Sequence, residues 1–271
     1  MPSGNVMNVF SGHTGSVTCG QFTPDGRRLV SGSDDGSLIV WDPRDASVLA
    51  KLGDDDGRFA LEGGITSLCI SPDNRLVLVG GASGNIRVVN VANLDQGGGA
   101  SVVGALEGHE PGESVESLEF IDLVAAATVP SSTTRASTSA YVVSAATDGK
   151  AVVWDLAVGK MRGQVLHDAP ITKLVVHPHT HLFTTSSMDH TVRTWDARTT
   201  SPVGVQHGFT DGVLDVAVGK DDGITQGADT GGIGAYVDAR QSKGYKICLL
   251  YTSDAADDYL RVDFGGRRII K

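Results

Sequence analysis

The chain has 271 residues, 40% of them hydrophobic and 20% charged, which is typical of globular proteins and excludes an intrinsically disordered chain. Its formal net charge of −10 argues against direct binding to a nucleic-acid phosphate backbone and suits a basic protein partner, although an acidic surface kept only for solubility explains the charge equally well. No apolar run approaches the length needed to cross a membrane.

The cysteine pattern and the first residues bear on the compartment. Cys19, Cys69 and Cys248 show neither metal-binding nor disulfide spacing, which favours a reducing compartment. Residues 1–12 lack the basic start and apolar core of a secretory leader. We therefore expect a cytoplasmic protein. No glycine-rich phosphate loop precedes a helix, and no apolar run is long enough to cross a membrane. We therefore expect no cofactor, no small-molecule substrate and no membrane partner.

One stretch sets the pattern for the whole chain. Residues 12–42 begin with Gly-His, end with Trp-Asp and contain three strand-like runs separated by turns. In the first turn, Pro24-Asp25-Gly26, proline fixes φ and glycine accepts a positive φ; the second, Asp34-Asp35-Gly36, is a strong hairpin signal. A unit of this length, within a period of about 40–45 residues, resembles a WD repeat, which forms one four-stranded blade of a β-propeller.

Five such units follow one another, each with four short strands, so the sequence predicts an all-β WD-repeat β-propeller over residues 1–240. The units span residues 5–42, 46–91, 100–155, 158–196 and 199–238. The first begins with a weakly alternating run at 5–10, which we expect to be an outer strand. The second and fifth units are degenerate, because Val89 and either Tyr236 or Val237 stand where tryptophan is expected.

Two segments depart from the repeat. Residues 121–139 interrupt the third unit and end in the small, polar run PSSTTRASTS, so we expect a flexible loop inserted between two strands of that unit. Residues 241–271 are expected to be a non-propeller tail. From Lys246 onward this tail follows no blade pattern, joins no sixth unit and resembles the out-of-frame or adapter-derived peptides found at the ends of assembled transcripts, so we leave it out of the fold prediction.

Three units repeat a histidine, a hydroxyl residue, an aspartate and a tryptophan, with the aspartate six residues before the tryptophan and four after the hydroxyl residue. The sets are His13, Ser31, Asp35 and Trp41; His109, Ser144, Asp148 and Trp154; and His167, Thr185, Asp189 and Trp195. In WD repeats such residues form a buried hydrogen-bonded network, and the resemblance implies the same here. A Ser-His-Asp hydrolase site uses similar residues, but a catalytic triad would not recur three times with a tryptophan attached, so we expect a structural role and no enzymatic activity.

Two other site types are disfavoured. His177, His179 and His181 could in principle ligate a metal, but they lie where other units carry Ser-Pro-Asp-Gly turns, so we expect an exposed turn and no metal. An enzyme built around the propeller channel would need a metal or an acidic cluster there, whereas the inner strands offer mainly Thr, Cys, Ser and Gly.

Acidic residues lie near the outer-to-inner connections and second hairpin turns, which open on one face of a propeller. The candidate partner-binding residues are Asp54, Asp55, Asp56, Glu110, Glu113, Glu116 and Asp229. Glu116 is the most informative, because the equivalent residues of other units are Thr18, Thr66 and Thr172. The repeat does not require an acid there, so Glu116 is either a chance substitution or a contact, and we favour a contact.

The motifs GHTGSVTCGQFTPDG, DDGSLIVWDP, GESVESLEF and GVLDVAVGKD, with the degraded second unit between them, resemble the C-terminal part of the angio-associated migratory cell protein family over about residues 1–238. The fungal counterpart of that family is a dedicated chaperone of one large-subunit ribosomal protein. The resemblance implies a non-enzymatic protein that captures a basic ribosomal protein on an acidic face during ribosome assembly. Members have eight blades, so five units imply an incomplete, open arc, although residues 5–10 could instead close a five-bladed ring. A generic WD-repeat adaptor in signalling or ubiquitin ligation remains the alternative.

Overall fold

The computed structural model describes residues 6–53, 59, 61–94, 97–123, 141–220, 236–238 and 245–251. These residues form five antiparallel sheets and contain no α-helix, which confirms the all-β prediction. Within the described ranges, no helix could span a membrane.

Four sheets contain four strands each, hydrogen-bonded in chain order. Sheet 1 comprises β1 (Val17–Phe22), β2 (Leu29–Ser33), β3 (Leu38–Trp41) and β4 (Val48–Leu52). Sheet 2 comprises β5 (Ile65–Ile70), β6 (Leu76–Gly81), β7 (Ile86–Asn90) and β8 (Ser101–Leu106). Sheet 3 comprises β9 (Val115–Ile121), β10 (Tyr141–Ala146), β11 (Lys150–Asp155) and β12 (Lys160–Leu166). Sheet 4 comprises β13 (Ile171–Val176), β14 (Leu182–Ser187), β15 (Val192–Asp196) and β16 (Ser201–Gln206).

The second hairpin of each of these sheets turns through one residue with positive φ. Gly36, Gly84 and Gly149 occupy this position with φ of 73°, 83° and 75°. In sheet 4 the same position is His190, with φ of 63°. Glycine adopts this conformation without the steric cost that a Cβ atom brings, so the DG and SG pairs of the sequence fix where the strands reverse.

The core consists of separate apolar layers, one between each pair of neighbouring sheets. Val30 and Leu38 of sheet 1 share a layer with Ile65 and Val79 of sheet 2, and corresponding layers join sheets 2 and 3, 3 and 4, and 4 and 5. The first strands of neighbouring sheets also contact one another in order around the molecule. This radial stacking is the architecture of propeller blades.

The described sheets do not contradict the predicted open arc. Among the described strands, none of the extensive contacts that join neighbouring sheets links sheet 5 to sheet 1. Val17 of β1 is 59% exposed, whereas the residues at the same position in the next four sheets, Ile65, Val115, Ile171 and Val213, are fully buried. The outward face of β1 therefore has no neighbouring sheet in the described part of the chain.

Sheet 5 corrects one prediction. It comprises β17 (Val213–Lys220), β18 (Tyr236–Asp238) and β19 (Tyr245–Tyr251) in the order β17-β19-β18. The expectation that the tail 241–271 stays outside the blades is therefore wrong for residues 245–251. The reason is that β17 offers an open edge and YKICLLY has the aromatic and β-branched composition that favours pairing, although it lacks the turn signals of a repeat. The expected second strand at 223–228 and the rest of the tail lie outside the described residues.

The other boundaries need smaller changes. The outer strand expected at 5–10 does not form in the described part, residues 6–10; instead Phe10 packs edge-on against Trp41, with ring centroids 5.5 Å apart, and Asn8 donates a hydrogen bond to the carbonyl of Pro43. Of the loop expected at 121–139, Ile121 ends β9 and residues 124–139 lie outside the described ranges.

Candidate functional site

The His, hydroxyl, Asp and Trp set of sheet 3 forms one hydrogen-bonded chain. Trp154 Nε1 donates to Ser144 Oγ at 2.8 Å, Ser144 Oγ lies 2.7 Å from His109 Nε2, and His109 Nδ1 lies 3.0 Å from Asp148 Oδ2. The Asp148 carboxylate can only accept, so the imidazole N–H lies on Nδ1, and the serine hydroxyl accepts the indole N–H while donating its own proton to Nε2. The bond network therefore assigns the imidazole proton to Nδ1, where it faces the carboxylate.

The chain recurs in sheet 4 with the same proton order. The corresponding distances among Trp195, Thr185, His167 and Asp189 are 2.8, 2.7 and 2.9 Å. Burial lowers the pKa of His167, although the nearby Asp189 carboxylate opposes this, so the imidazole stays neutral near pH 7.

In sheet 1 a second hydroxyl joins the chain. His13 Nδ1 lies 2.9 Å from Ser37 Oγ, which in turn donates to Asp35 Oδ1 at 2.6 Å. Partial burial disfavours the Asp35 carboxylate, but hydrogen bonds from Ser37 and the backbone N–H of Thr14 outweigh it and hold the pKa of Asp35 well below its usual value.

Each His-hydroxyl-Asp-Trp set joins the connection that carries its histidine to the hairpin turn that carries its aspartate. The aspartate also accepts from the backbone N–H that follows the histidine, as in the 2.6 Å bond from Thr14 to Asp35 and the 3.1 Å bond from Glu110 to Asp148. The hydroxyl oxygen is buried beneath an indole whose N–H it accepts; Ser144, for example, is fully buried. These groups are engaged in holding each blade together, and none presents a nucleophile to solvent.

The histidine run at 177–181 corrects the prediction of an exposed turn for one of its members. His177 is fully buried and its Nε2 lies 2.7 Å from Thr184 Oγ1, because it occupies the last inward-facing position before the turn, where Thr23 and Ser71 are also buried. His181 pairs with Asp196 at 3.3 Å. Among the described residues, no group of His, Cys, Asp and Glu is arranged to hold a metal ion.

The first strands of sheets 1 to 3, together with one residue of sheet 4, line an open cavity of about 700 Å³. Its polar and charged lining includes Thr18, Thr66, Ser67, Glu116, Glu119 and Lys173. Sequence reasoning placed Glu116 on an acidic face, and the structure places it in the wall of this cavity.

A β-bulge in every first strand aims one side chain toward the neighbouring strand. The bulged positions, where the register shifts, are Thr18, Thr66, Glu116, Thr172 and Leu214. Each of the three threonines donates its hydroxyl to a carbonyl at the start of the next first strand, at 2.6 Å to Ile65, 2.7 Å to Val115 and 2.5 Å to Val213. The hydroxyl therefore links one sheet to the next.

Glu116 cannot make this link, because an ionised carboxylate has no proton to donate. The neighbouring Ser117 bonds across to sheet 4 instead, from its Oγ to the carbonyl of Leu174 at 3.2 Å. No hydrogen bond or ion pair joins the Glu116 side chain to any other described residue. Its carboxylate is thus a half-buried acceptor with no partner at the cavity wall.

Glu119 is a cavity residue that sequence reasoning missed. Its Oε2 accepts the backbone N–H of Val176 at 2.7 Å. Burial raises the pKa of Glu119, while the Val176 hydrogen bond and the positive charge of Lys173 partly offset this. The available signal was a charged residue inside a strand where other units have Gln21, Cys69 and Val175.

The remaining acidic candidates are either engaged locally or not described. Glu110 is exposed and its Oε1 lies 2.5 Å from Lys150 Nζ, and Glu113 accepts a 2.6 Å hydrogen bond from Thr147. Asp54, Asp55, Asp56 and Asp229 lie outside the described residues. The structure thus brings Glu116 together with Glu119 and does not bring Glu110 or Glu113 into the cavity lining.

Comparisons with known proteins agree with this architecture. The family profile "WD domain, G-beta repeat" matches residues 4–42, 57–90 and 161–196. The solved structure of U3-55K superposes with a TM-score of 0.61 over 77% of this chain and 57% of that one, at 19% identity, which shows a shared fold alone.

Several curated proteins are similar in sequence. Angio-associated migratory cell protein of Homo sapiens is 31% identical over 82% of this chain and 48% of its own length. An uncharacterized WD repeat-containing protein of Schizosaccharomyces pombe is 28% identical over 82% of this chain and 51% of its own length. Guanine nucleotide-binding protein subunit beta-2 of Nicotiana tabacum is 28% identical over 71% of this chain and 48% of its own length. The chain spans about half the length of the curated relatives that it matches. Matched repeats, radially stacked sheets and the His-hydroxyl-Asp-Trp networks together show that the chain contains WD repeats arranged as blades of a β-propeller fold.

Proposed function

We propose that the chain is a protein-binding scaffold that captures a basic protein, a large-subunit ribosomal protein, in the cytoplasm during ribosome assembly and so acts as its dedicated chaperone. The observation that carries the proposal is Glu116. Three sister strands use threonine at this position to link neighbouring sheets, whereas Glu116 gives up that link and leaves an unpartnered carboxylate on the cavity wall. A binding role explains this exchange, and a purely structural role does not.

The charge of the whole chain supports the same conclusion. A net charge of −10 attracts a strongly basic protein over distances of about a Debye length and raises the association rate. Carboxylates in the partly buried cavity would then neutralise lysine or arginine side chains until the ribosomal protein is handed over. The resemblance to the angio-associated migratory cell protein family favours a ribosomal protein among basic partners.

The test is binding of purified basic large-subunit ribosomal proteins to the immobilised full chain over a range of salt concentrations. We expect binding that weakens as salt rises, and a loss of about tenfold or more in affinity for Glu116→Lys, since the substitution replaces an attraction with a repulsion. Glu116→Thr is the second variant, because threonine is the residue of the sister strands and is compatible with the fold. Glu107→Lys is the matched control: Glu107 is exposed and outside the cavity lining.

Unchanged affinity in both Glu116 variants would remove Glu116 from the interface. No salt-sensitive binding of any basic ribosomal protein would refute the chaperone proposal. The similarity to the tobacco guanine nucleotide-binding subunit favours the second candidate, a WD-repeat adaptor in signalling. Purification of the complexes that the chain forms in cells separates the two, because an adaptor would bring down signalling or ubiquitin-ligase components without ribosomal proteins.

A further inference from the structure

Among the described residues, the cavity wall contains one positively charged side chain, that of Lys173. The residue that follows the bulge is small in the first three sheets, where it is Cys19, Ser67 or Ser117, and is Lys173 in the fourth. Lys173 lines the cavity together with Glu116 and Glu119. Its charge acts on the Glu119 carboxylate, yet no ion pair within 4.0 Å joins Lys173 to any described carboxylate.

The hydroxyl groups of the cavity present acceptors and not donors. Thr18, Thr66, Ser67 and Ser117 all direct their hydroxyl protons to backbone carbonyls, so the lone pairs of their oxygens are the groups left for a ligand. Two carboxylates stand beside them. A wall of acceptors that carries two negative charges and one positive charge complements a group rich in donors with a single positive charge, and it repels an anion.

We propose, building on the proposed function, that the cavity receives one lysine or arginine side chain of the basic partner, which pairs with Glu116 and Glu119, and that Lys173 is a tethered competing cation that limits its affinity. With Lys173 present, the charged groups of the lining, Glu116, Glu119 and Lys173, have a net charge of about −1. This charge favours the binding of one cation and disfavours the binding of a second. Such a competitor would suit a chaperone that must release its client, because it weakens the bound state without removing the attraction that brings the partner in.

The probe is a capped peptide of glycine and serine with one central arginine, titrated into the full chain beside the same peptide with neutral citrulline. We expect the arginine peptide to bind about tenfold tighter or more, and Glu116→Thr to abolish most of this difference. Lys173→Gln, which removes the charge and keeps most of the side-chain length, should tighten arginine binding about three- to tenfold. Lys173→Ser restores the residue of sheets 2 and 3 and should act in the same direction.

The unfolding midpoint of each variant is measured first, and the two Lys173 variants provide independent folded samples. Equal affinity for the two peptides, or affinity that stays the same or falls when Lys173 is neutralised, would overturn the inference. These outcomes are separate from failure of the chaperone proposal. That proposal fails if no basic ribosomal protein binds the wild-type chain, whereas the peptide titration decides the role of Lys173 in either case.

Discussion

The hydrogen-bonded chain of sheet 4 can be tested with one substitution that removes a hydroxyl and keeps the shape of the side chain. Thr185 is fully buried; its Oγ1 accepts the indole N–H of Trp195 at 2.8 Å and lies 2.7 Å from Nε2 of His167. Thr185→Val replaces the hydroxyl with a methyl group. Thr185→Ser keeps the hydroxyl and removes only the methyl group, so it is the matched control.

The magnitude follows from the two groups that Thr185→Val leaves without a partner. A buried donor or acceptor without a partner costs about 1–3 kcal/mol, so the loss of bonds to both Trp195 and His167 should reduce the free energy of unfolding by about 2–6 kcal/mol. Thr185→Ser loses one buried methyl group, worth about 1 kcal/mol. For a domain of this size, 1 kcal/mol corresponds to about 2–4 °C, so Thr185→Val should melt roughly 4–24 °C lower than wild type and clearly below Thr185→Ser.

The assay is urea and thermal unfolding of wild type and both variants, followed by tryptophan fluorescence and by circular dichroism. If Thr185→Val were no less stable than Thr185→Ser, the hydroxyl of Thr185 would contribute no more to the free energy of unfolding than the methyl group that Thr185→Ser removes. The inference that the hydrogen bonds of Thr185 to Trp195 and His167 stabilise sheet 4 would then be refuted.

Three further predictions concern turns, pH and close packing. His190→Gly should stabilise the chain by about 0.5–1 kcal/mol, because glycine adopts the positive φ found there without a Cβ penalty, and His190→Ala, which keeps Cβ, should not give this gain in urea unfolding. Burial lowers the pKa of His177 from its usual 6.5 to about 4, so the unfolded state binds more protons between these values. The contribution of His177 to stability should be constant above about pH 6.5 and fall by about 3 kcal/mol as the pH drops to 4. Subtracting the profile of His177→Gln should isolate that loss, and parallel profiles would contradict the assignment. Gly108→Ala should destabilise sheet 3, because a Cβ there would lie 2.7 Å from the ring of Trp154, whereas Gly204→Ala, with nothing within 4 Å, is the control for calorimetry.

The sequence by itself determined the repeating unit, because its signals are local. Pro-Asp-Gly and Asp-Asp-Gly turns, the strand-like runs between them and the fixed spacing from Ser144 through Asp148 to Trp154 specify which residues lie on one sheet. These features predicted five four-stranded units, of which four are complete sheets in the described structure, and three His-hydroxyl-Asp-Trp networks. They could also show that Glu116 departs from its repeat, since that comparison needs only an alignment of the units with one another.

Only the tertiary structure decided how those departures combine. Glu116, Glu119 and Lys173 share a cavity because β9 and β13 become neighbours, and Tyr245–Tyr251 becomes a strand because β17 leaves an edge open. His177 is buried although its run resembles a polar turn, since the fold places the position before the turn inside the sheet. The physical reason is the same in each case: the surroundings of these side chains come from strands far away in sequence, and no spacing along one strand encodes which side chains another strand will bring beside it.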